Sequence, residues 1–352
     1  MGKNAVGIGI LGCGNIASLH AQAIRLVPGL KLVSVCSRSR DSAERLGSKF
    51  GVTAYSDLKK FLDDPTLQAV SICTPSGIHA DLGVPAARAG RHVLVEKPID
   101  VSLEKADSLI RACDSAGVKL AVAFQSRHLD APRLLKSAVE SGRLGKPILG
   151  NAHIKWYRKP EYYASNSWRG TLVMDGGGAL INQAIHTVDL LRWIMGPVAG
   201  VSAYSDKLLH PGIEAEDTLV AVVKFQNGAL GIIEAATSAY PGFKRRVEIT
   251  GTEGTVILDG DNLTTWALRD GSANPSASAG DVSDGSADPM AIDCEGHRRI
   301  MADFASAIRD QRKPLVDGRD GRQSLELVRA IYDSAAEAKS QALEPPCASS
   351  KS

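Results

Sequence analysis

Three groups of residues in this chain have the types and spacing to do chemistry together. The first is Gly12-Cys13-Gly14-Asn15-Ile16-Ala17, which follows a short apolar run and opens a helical pattern. In such a turn the first glycine permits a sharp bend, and the second lets a pyrophosphate approach the backbone. Ala17 keeps the helix close to the sheet, while the helix N-terminus, with Asn15 and Ile16, offers N–H groups and a favourable dipole. G-x-G-x-x-A alone is a weak signal, but here it sits at a strand–helix junction inside a βαβ unit, the context it requires. The second group is Glu96-Lys97-Pro98, after another apolar run. A lysine in a partly dry cleft beside a cationic nicotinamide is driven towards its neutral amine and can exchange protons. The bland alternative is a surface lysine paired with Glu96. The third group is Asn182, His186 and Asp189, spaced i, i+4 and i+7, which an α-helix would put on one face. A lone histidine is usually a satisfied core residue; flanked by two polar groups it becomes a candidate for proton transfer near neutral pH.

Two further segments bear on the ligand. Cys36-Ser37-Arg38-Ser39-Arg40 ends the second apolar run, where an NAD site usually places an acid and an NADP site a guanidinium. With no acid present, Ser37 and Arg38 favour NADP slightly; the alternative is that Arg38 stacks on adenine and both cofactors bind. Thr74-Pro75, with His79 beyond, follows the run at 69–73, at a strand carboxyl end where open α/β sheets bind ligands.

The elements that must position these residues follow from periodicity. Runs at 6–11, 30–36, 69–73, 92–95 and 119–124 are short and apolar, and helical patterns at 16–26, 41–50, 79–89 and 103–116 lie between them. Strict alternation predicts βαβ crossovers and a parallel sheet covered on both faces. From about residue 145 the pattern becomes a series of strands at 147–157, 203–209, 218–225, 229–238, 244–250, 255–258 and 264–268, interrupted by one helix over 179–195. Asn227-Gly228 marks a hairpin turn between two of them. This predicts a largely antiparallel sheet with one face free for another subunit. Residues 271–288 read as a flexible polar loop, two helices follow at 291–309 and 321–340, and the last ten residues are expected to fray. The fold expected is α/β: residues 1–125 a Rossmann dinucleotide-binding domain, 126–340 a substrate and oligomerisation domain, and 341–352 a disordered tail.

Composition narrows the function. Lys and Arg total 41 against 39 Asp and Glu, too slight an excess for a nucleic-acid partner. The six cysteines form no C-x-x-C pair and no Cys/His cluster has ligand spacing, so free thiols in a reducing cytoplasm, and no metal, are expected. No apolar stretch approaches the ~18 residues of a membrane helix, and no signal peptide is evident.

Taken together, Gly12-x-Gly14-x-x-Ala17, Glu96-Lys97-Pro98 and His186 with Asp189, in that order, resemble the Gfo/Idh/MocA family over roughly residues 4–340. The resemblance implies a Rossmann domain, a C-terminal α/β domain whose open, mostly antiparallel sheet builds homodimers or homotetramers, and a nicotinamide cofactor. Lys97 matches the family's lysine, Pro98 the proline often preceded by a cis bond, and His186 the usual acid/base. Trp168-Arg169 resembles a pair that reaches the cofactor, and Gln125 and Arg127 sit where relatives often contact nicotinamide or substrate. Many inositol-dehydrogenase-like members carry Asp where this chain has Asn182, an amide that can bond a sugar hydroxyl but cannot take a proton. Tyr162-Tyr163, Trp168-Arg169-Gly170-Thr171 and Gly176–Gly178 are closer to the nucleotide-sugar dehydrogenases. The expected function is therefore an NAD(P)-dependent oxidoreductase acting on a carbohydrate. Lys97 and His186 would be catalytic, and Arg127, Asn182 and Asp189 would join them around the substrate. The cofactor would meet Gly12, Gly14, Asn15, Ile16, Ser37, Arg38, Thr74, Pro75, His79, Glu96, Lys97, Gln125, Trp168 and Arg169. An NAD-dependent glycoside hydrolase and a sugar sensor are the competing readings.

Overall fold

The computed structural model describes residues 5–275 and 294–344, in two compact units. The first begins with β1 (Val6–Leu11), α1 (Asn15–Leu26), β2 (Leu30–Cys36), α2 (Arg40–Phe50), β3 (Thr53–Tyr55), α3 (Leu58–Leu62) and β4 (Ala69–Ile72). It continues with α4 (His79–Arg88), β5 (His92–Val95), α5 (Leu103–Ala116) and β6 (Leu120–Val122). The six strands are all parallel, in the order β3-β2-β1-β4-β5-β6. That is the doubly wound order whose strand carboxyl ends bind dinucleotides. β1, β4 and β5, at its centre, are covered on both faces and apolar throughout but for Ser71 and His92. Strand β3 and helix α3 were absent from the expectation, being only three and five residues long.

The chain leaves this unit after Gln125 and returns to it with residues 294–325. The expected division at 125 therefore differs from the observed units over this later segment. The reason is packing: α9 (Cys294–Arg309) lays Ile300, Met301, Phe304, Ala305 and Ile308 into the same core as Ala17, Ala21 and Ile24 of α1.

The second unit holds α6 (Asp130–Glu140), β7 (Pro147–Lys155), α7 (Pro160–Ala164), a π-helical segment Ala179–Ala184 and α8 (Ile185–Met195). Then come β8 (Val198–Asp206), β9 (Thr218–Phe225), β10 (Leu230–Ala236), β11 (Arg246–Gly251), β12 (Gly254–Asp259) and β13 (Asn262–Leu268). Helix α10 (Gly318–Glu337) carries the boundary between the units within it, and β14 (Gln341–Ala342) ends the described chain. Their sheet runs β13-β12-β11-β7-β10-β9-β8-β14, antiparallel except where β10 lies parallel to β7. β9 alternates cleanly: Leu219, Ala221, Val223 and Phe225 are buried, Val220 and Val222 exposed. Two corrections follow. Helix α6 was not expected, although Ala131, Leu135 and Ala138 keep a helical period and Pro132 sits in the first turn, where proline is tolerated. Gln341 and Ala342, expected in a disordered tail, instead pair with Val201 and Gly200. The rest of that tail from residue 345, and most of the expected polar loop, lie outside the described residues.

Candidate active site

The turn after β1 has the geometry a pyrophosphate needs. Gly12 adopts φ +95°, and a Cβ there would stand 2.6 Å from the Cys73 carbonyl oxygen, so no other residue fits without shifting β4. Gly14 faces open space, and Asn15 beside it is exposed. Ala17 is fully buried against the sheet. The N-terminus of α1 has no side-chain cap and no acid in its first turn, which suits an anion at its positive end. Thr74 Oγ1 and Gln125 Oε1 are buried without a hydrogen-bond partner. Such atoms are matched by water or by a ligand. On these grounds the first unit fits a nicotinamide dinucleotide. At the end of β2, Ser37 is half-buried and Arg38 exposed, whereas Arg40 is engaged by Glu44 at 2.7 Å.

Lys97 follows β5 and is half-buried, in a cis peptide bond with Pro98. Glu96, expected to meet the cofactor or pair with Lys97, has another task. Its carboxylate turns inward to His20 Nε2 at 2.7 Å and stands 3.5 Å from His297 Nε2, and its second oxygen accepts the Lys97 backbone N–H at 3.1 Å. His20 Nδ1 is in turn 2.7 Å from Ser71 Oγ. Burial pushes the Glu96 carboxyl up, but the hydrogen bonds and charge of the two imidazoles outweigh it and hold it well below the usual carboxylate range. Burial holds His20 below the ordinary imidazole value, against the pull of Glu96. The three side chains also have metal-competent atoms within 4.8 Å of one another, a cluster that spacing in the sequence did not disclose. The 2.7 Å contact is that of a hydrogen bond. His79, also expected at the cofactor, is fully buried between two backbone carbonyls.

In the second unit the polar row departs from a regular helix. Residues 179–184 are π-helical, so the stripe predicted from a 3.6-residue period is re-aimed where it begins. Asn182 and His186 are half-buried on a segment otherwise almost wholly buried. Asn182 donates to Asp175 and accepts from Gln183 Nε2 at 2.6 Å and from the Tyr162 hydroxyl at 3.4 Å. Its amide is therefore oriented by protein before any substrate arrives. Arg169 stacks 4.1 Å over the Tyr162 ring and donates to the Tyr162 carbonyl at 2.9 Å; Trp168 is half-buried beside it.

Arg127 and Asp189, both expected at the substrate, form a bidentate pair at 2.7 and 2.6 Å, with the guanidinium 5.5 Å from the Trp193 ring centroid. Their side chains are 1% and 0% exposed, so both are taken up in the core rather than offered to a ligand. Removing one partner of such a pair strands a buried charge, at about 3–5 kcal/mol.

Sequence reasoning missed Glu216 and Tyr332. The Glu216 carboxylate accepts from the backbone N–H of Gly178 at 2.9 Å and Leu180 at 2.8 Å and from the Tyr332 hydroxyl at 2.9 Å, thereby capping the segment that leads to His186. Burial pushes its carboxyl up to about 7, against those donors. The glycine run now has a reason: a Cβ on Gly178 would overlap the Glu216 carbonyl, and one on Gly177 the Tyr332 hydroxyl.

Comparison with known proteins decides the family. Residues 6–124 match the oxidoreductase family with an NAD-binding Rossmann fold (GFO_IDH_MocA), and residues 133–257 match the GFO/IDH/MocA C-terminal domain. The chain belongs to the Gfo/Idh/MocA oxidoreductase family. Among its relatives is the crystal structure of the WlbA dehydrogenase from Bordetella pertussis in complex with NADH and UDP-GlcNAcA. It is 33% identical, with a TM-score of 0.87, over 97% of this chain and 99% of that one. Myo-inositol 2-dehydrogenase of Thermotoga maritima is 29% identical over 96% of this chain and 98% of its own length. The oxidoreductase YrbE of Bacillus subtilis (strain 168), itself uncharacterized, is 32% identical over 73% of this chain and 74% of its own length. In this Gfo/Idh/MocA member no described helix is long and apolar enough to cross a membrane.

Proposed function

We propose that the protein is an NAD(P)-dependent dehydrogenase that oxidises a ring carbinol of a nucleotide-linked sugar. The observation that carries the reading is Lys97 at the carboxyl end of a central parallel strand, in the same unit as a dinucleotide turn that only glycine can make at position 12. The nucleotide-sugar assignment is supported by the WlbA relative, whose structure holds UDP-GlcNAcA. When bound, the oxidised nicotinamide supplies the acceptor for the hydride. Gly12, Gly14 and the α1 N-terminus would hold the pyrophosphate, Thr74, Pro75 and Gln125 the nicotinamide half, and Ser37 and Arg38 the adenosine ribose. In the oxidative direction the carbinol C–H bond breaks with its electron pair leaving as hydride, and the O–H proton passes to His186. Lys97 polarises that oxygen or relays the proton, and Asn182, held by Asp175, orients a neighbouring hydroxyl. Absorbance at 340 nm with UDP-linked hexuronic acids, against myo-inositol, tests the reading. Turnover of free inositol with none on the UDP sugars would overturn the substrate class.

Both cofactors are expected to bind within about tenfold of one another, a difference of ~1.4 kcal/mol, because no acid stands at positions 36–40 to reject a 2′-phosphate. Ser37→Asp should weaken NADP more than NAD by setting a carboxylate against that phosphate. Titration of both into the unaltered protein checks this, and strong NAD selectivity there would remove the role given to Ser37 and Arg38.

The exposed sheet face, with Tyr204, Val220, Val222 and Leu230, supports assembly into a homodimer or homotetramer through that face. Val222→Glu is then expected to shift sedimentation towards the monomer, and an unchanged profile would exclude this face. Free cysteines at positions 13, 36, 73, 113 and 294 support a cytoplasmic location.

A further inference from the structure

His79, the first residue of α4, has 0% exposure and sits between two backbone carbonyls. Nδ1 lies 2.8 Å from the Pro98 oxygen and Nε2 lies 3.0 Å from the Thr74 oxygen. A peptide carbonyl only accepts, so both contacts are hydrogen bonds only when each ring nitrogen carries a proton. The neutral ring, in either tautomer, would press a nitrogen lone pair against one carbonyl. Asp100, also fully buried, shows the complementary pattern. Its oxygens accept from the backbone N–H groups of Ala80 at 2.9 Å, Val101 at 2.7 Å and Ser102 at 3.3 Å. A protonated carboxyl would need an acceptor for its own proton, and none of the three offers one.

We propose that His79 is a buried imidazolium that clamps the Thr74–Pro75 turn to the Lys97–Pro98 turn, with Asp100, bound to the adjoining Ala80 N–H, as its nearby counter-charge, making His79 a positioning residue for Lys97. Burial is the largest influence on both groups, pulling the imidazole down and pushing the carboxyl up even with their partners in place. The two carbonyls on one side and the three N–H groups on the other oppose it, because they are matched only by the charged forms.

The surrounding charges agree with this. Glu96, at the end of β5, adds negative potential at His79 while being held by His20 and His297. Lys105 of α5, packed beside α4, is committed to the Gly77 carbonyl at 2.8 Å and to Asp81 at 2.9 Å. The Cys73 thiol at the end of β4 is kept protonated by burial. The sign follows from the geometry. When His79 loses its proton, one carbonyl loses its donor, and the turn carrying Lys97 is no longer tied to the turn carrying Thr74.

The clamp's purpose rests on the proposed chemistry of Lys97, so the test has one arm that needs no turnover. In the full-length protein with ¹⁵N-labelled histidine, the His79 ring signals are identified by their loss in His79→Asn. Both ring nitrogens are expected to stay protonated from about pH 6 to about pH 8, the span over which an ordinary imidazole titrates. A bare ring nitrogen at neutral pH would overturn the imidazolium whatever the reaction proves to be. In the second arm, Asp100→Asn removes the counter-charge and keeps an acceptor. There His79 is expected to titrate inside that span, with kcat falling on the alkaline side at the same midpoint. If the ring titrates and kcat does not follow, the clamp does not position Lys97 and the proposal fails. If Asp100→Asn leaves ring and profile as in the unaltered protein, Asp100 does not hold the charge and the proposal fails as well.

Discussion

Replacing Lys97 by Met should lower turnover by about 10²–10⁴-fold, the range of a single acid–base group, while leaving the Kd of the cofactor nearly unchanged. Methionine keeps the length and apolar stem of lysine and removes its donor. Two features of the Lys97 turn survive the substitution: Glu96 holds the backbone N–H at 3.1 Å, and Pro98 is buried. A loss of turnover should therefore report chemistry rather than a rearranged turn. Stopped-flow turnover beside a fluorescence titration of NADH separates the two quantities. A variant that turns over at close to the normal rate would return Lys97 to the surface residues.

His186→Asn should remove most of the turnover and, with it, the acidic limb of the pH–rate profile. In the oxidative direction the neutral imidazole accepts the hydroxyl proton, so the rate climbs as rising pH strips the ring of its proton. In the reductive direction the imidazolium donates, and the dependence reverses. Asparagine preserves size and some hydrogen bonding but does not titrate, so substrate KM should move less than kcat. If the variant keeps the acidic limb, another group is the base, and Lys97 is the next candidate.

What was legible in the sequence was whatever depends on neighbours along the chain. Gly12 and Ala17 declare a strand–turn–helix, and the alternation of apolar runs with helical periods declares a parallel sheet. The second sheet showed itself through strand after strand, but not the parallel pairing of β10 with β7, which is a matter of topology. Asp189 was placed at the substrate from its helix stripe and Arg127 from the resemblance, and neither signal discloses that the two are buried partners 62 residues apart. Nor could Glu216 be found: an acid in the run Glu214-Ala215-Glu216-Asp217 gives no hint that its oxygens cap a segment nearly forty residues earlier. The short elements β3 and α3 fell below the length at which periodicity carries a signal.

The late return of α9 to the first unit sets an order on synthesis. Everything between residues 126 and 293 must leave the ribosome before α9 does. At roughly 5–20 residues per second that delay is on the order of ten seconds. During it the parallel sheet and α1 exist with one flank bare, and Glu96 has only one of its two imidazoles. Each of Ile300, Met301 and Phe304 brings about 1.5–3 kcal/mol of burial when it docks, against a net stability for a whole domain of only about 5–15 kcal/mol. A nascent chain of 125 residues thus carries all six strands but lacks the hydrophobic cover that makes them stable, so the dinucleotide turn at Gly12 becomes dependable only once residues nearly three hundred positions downstream have been made.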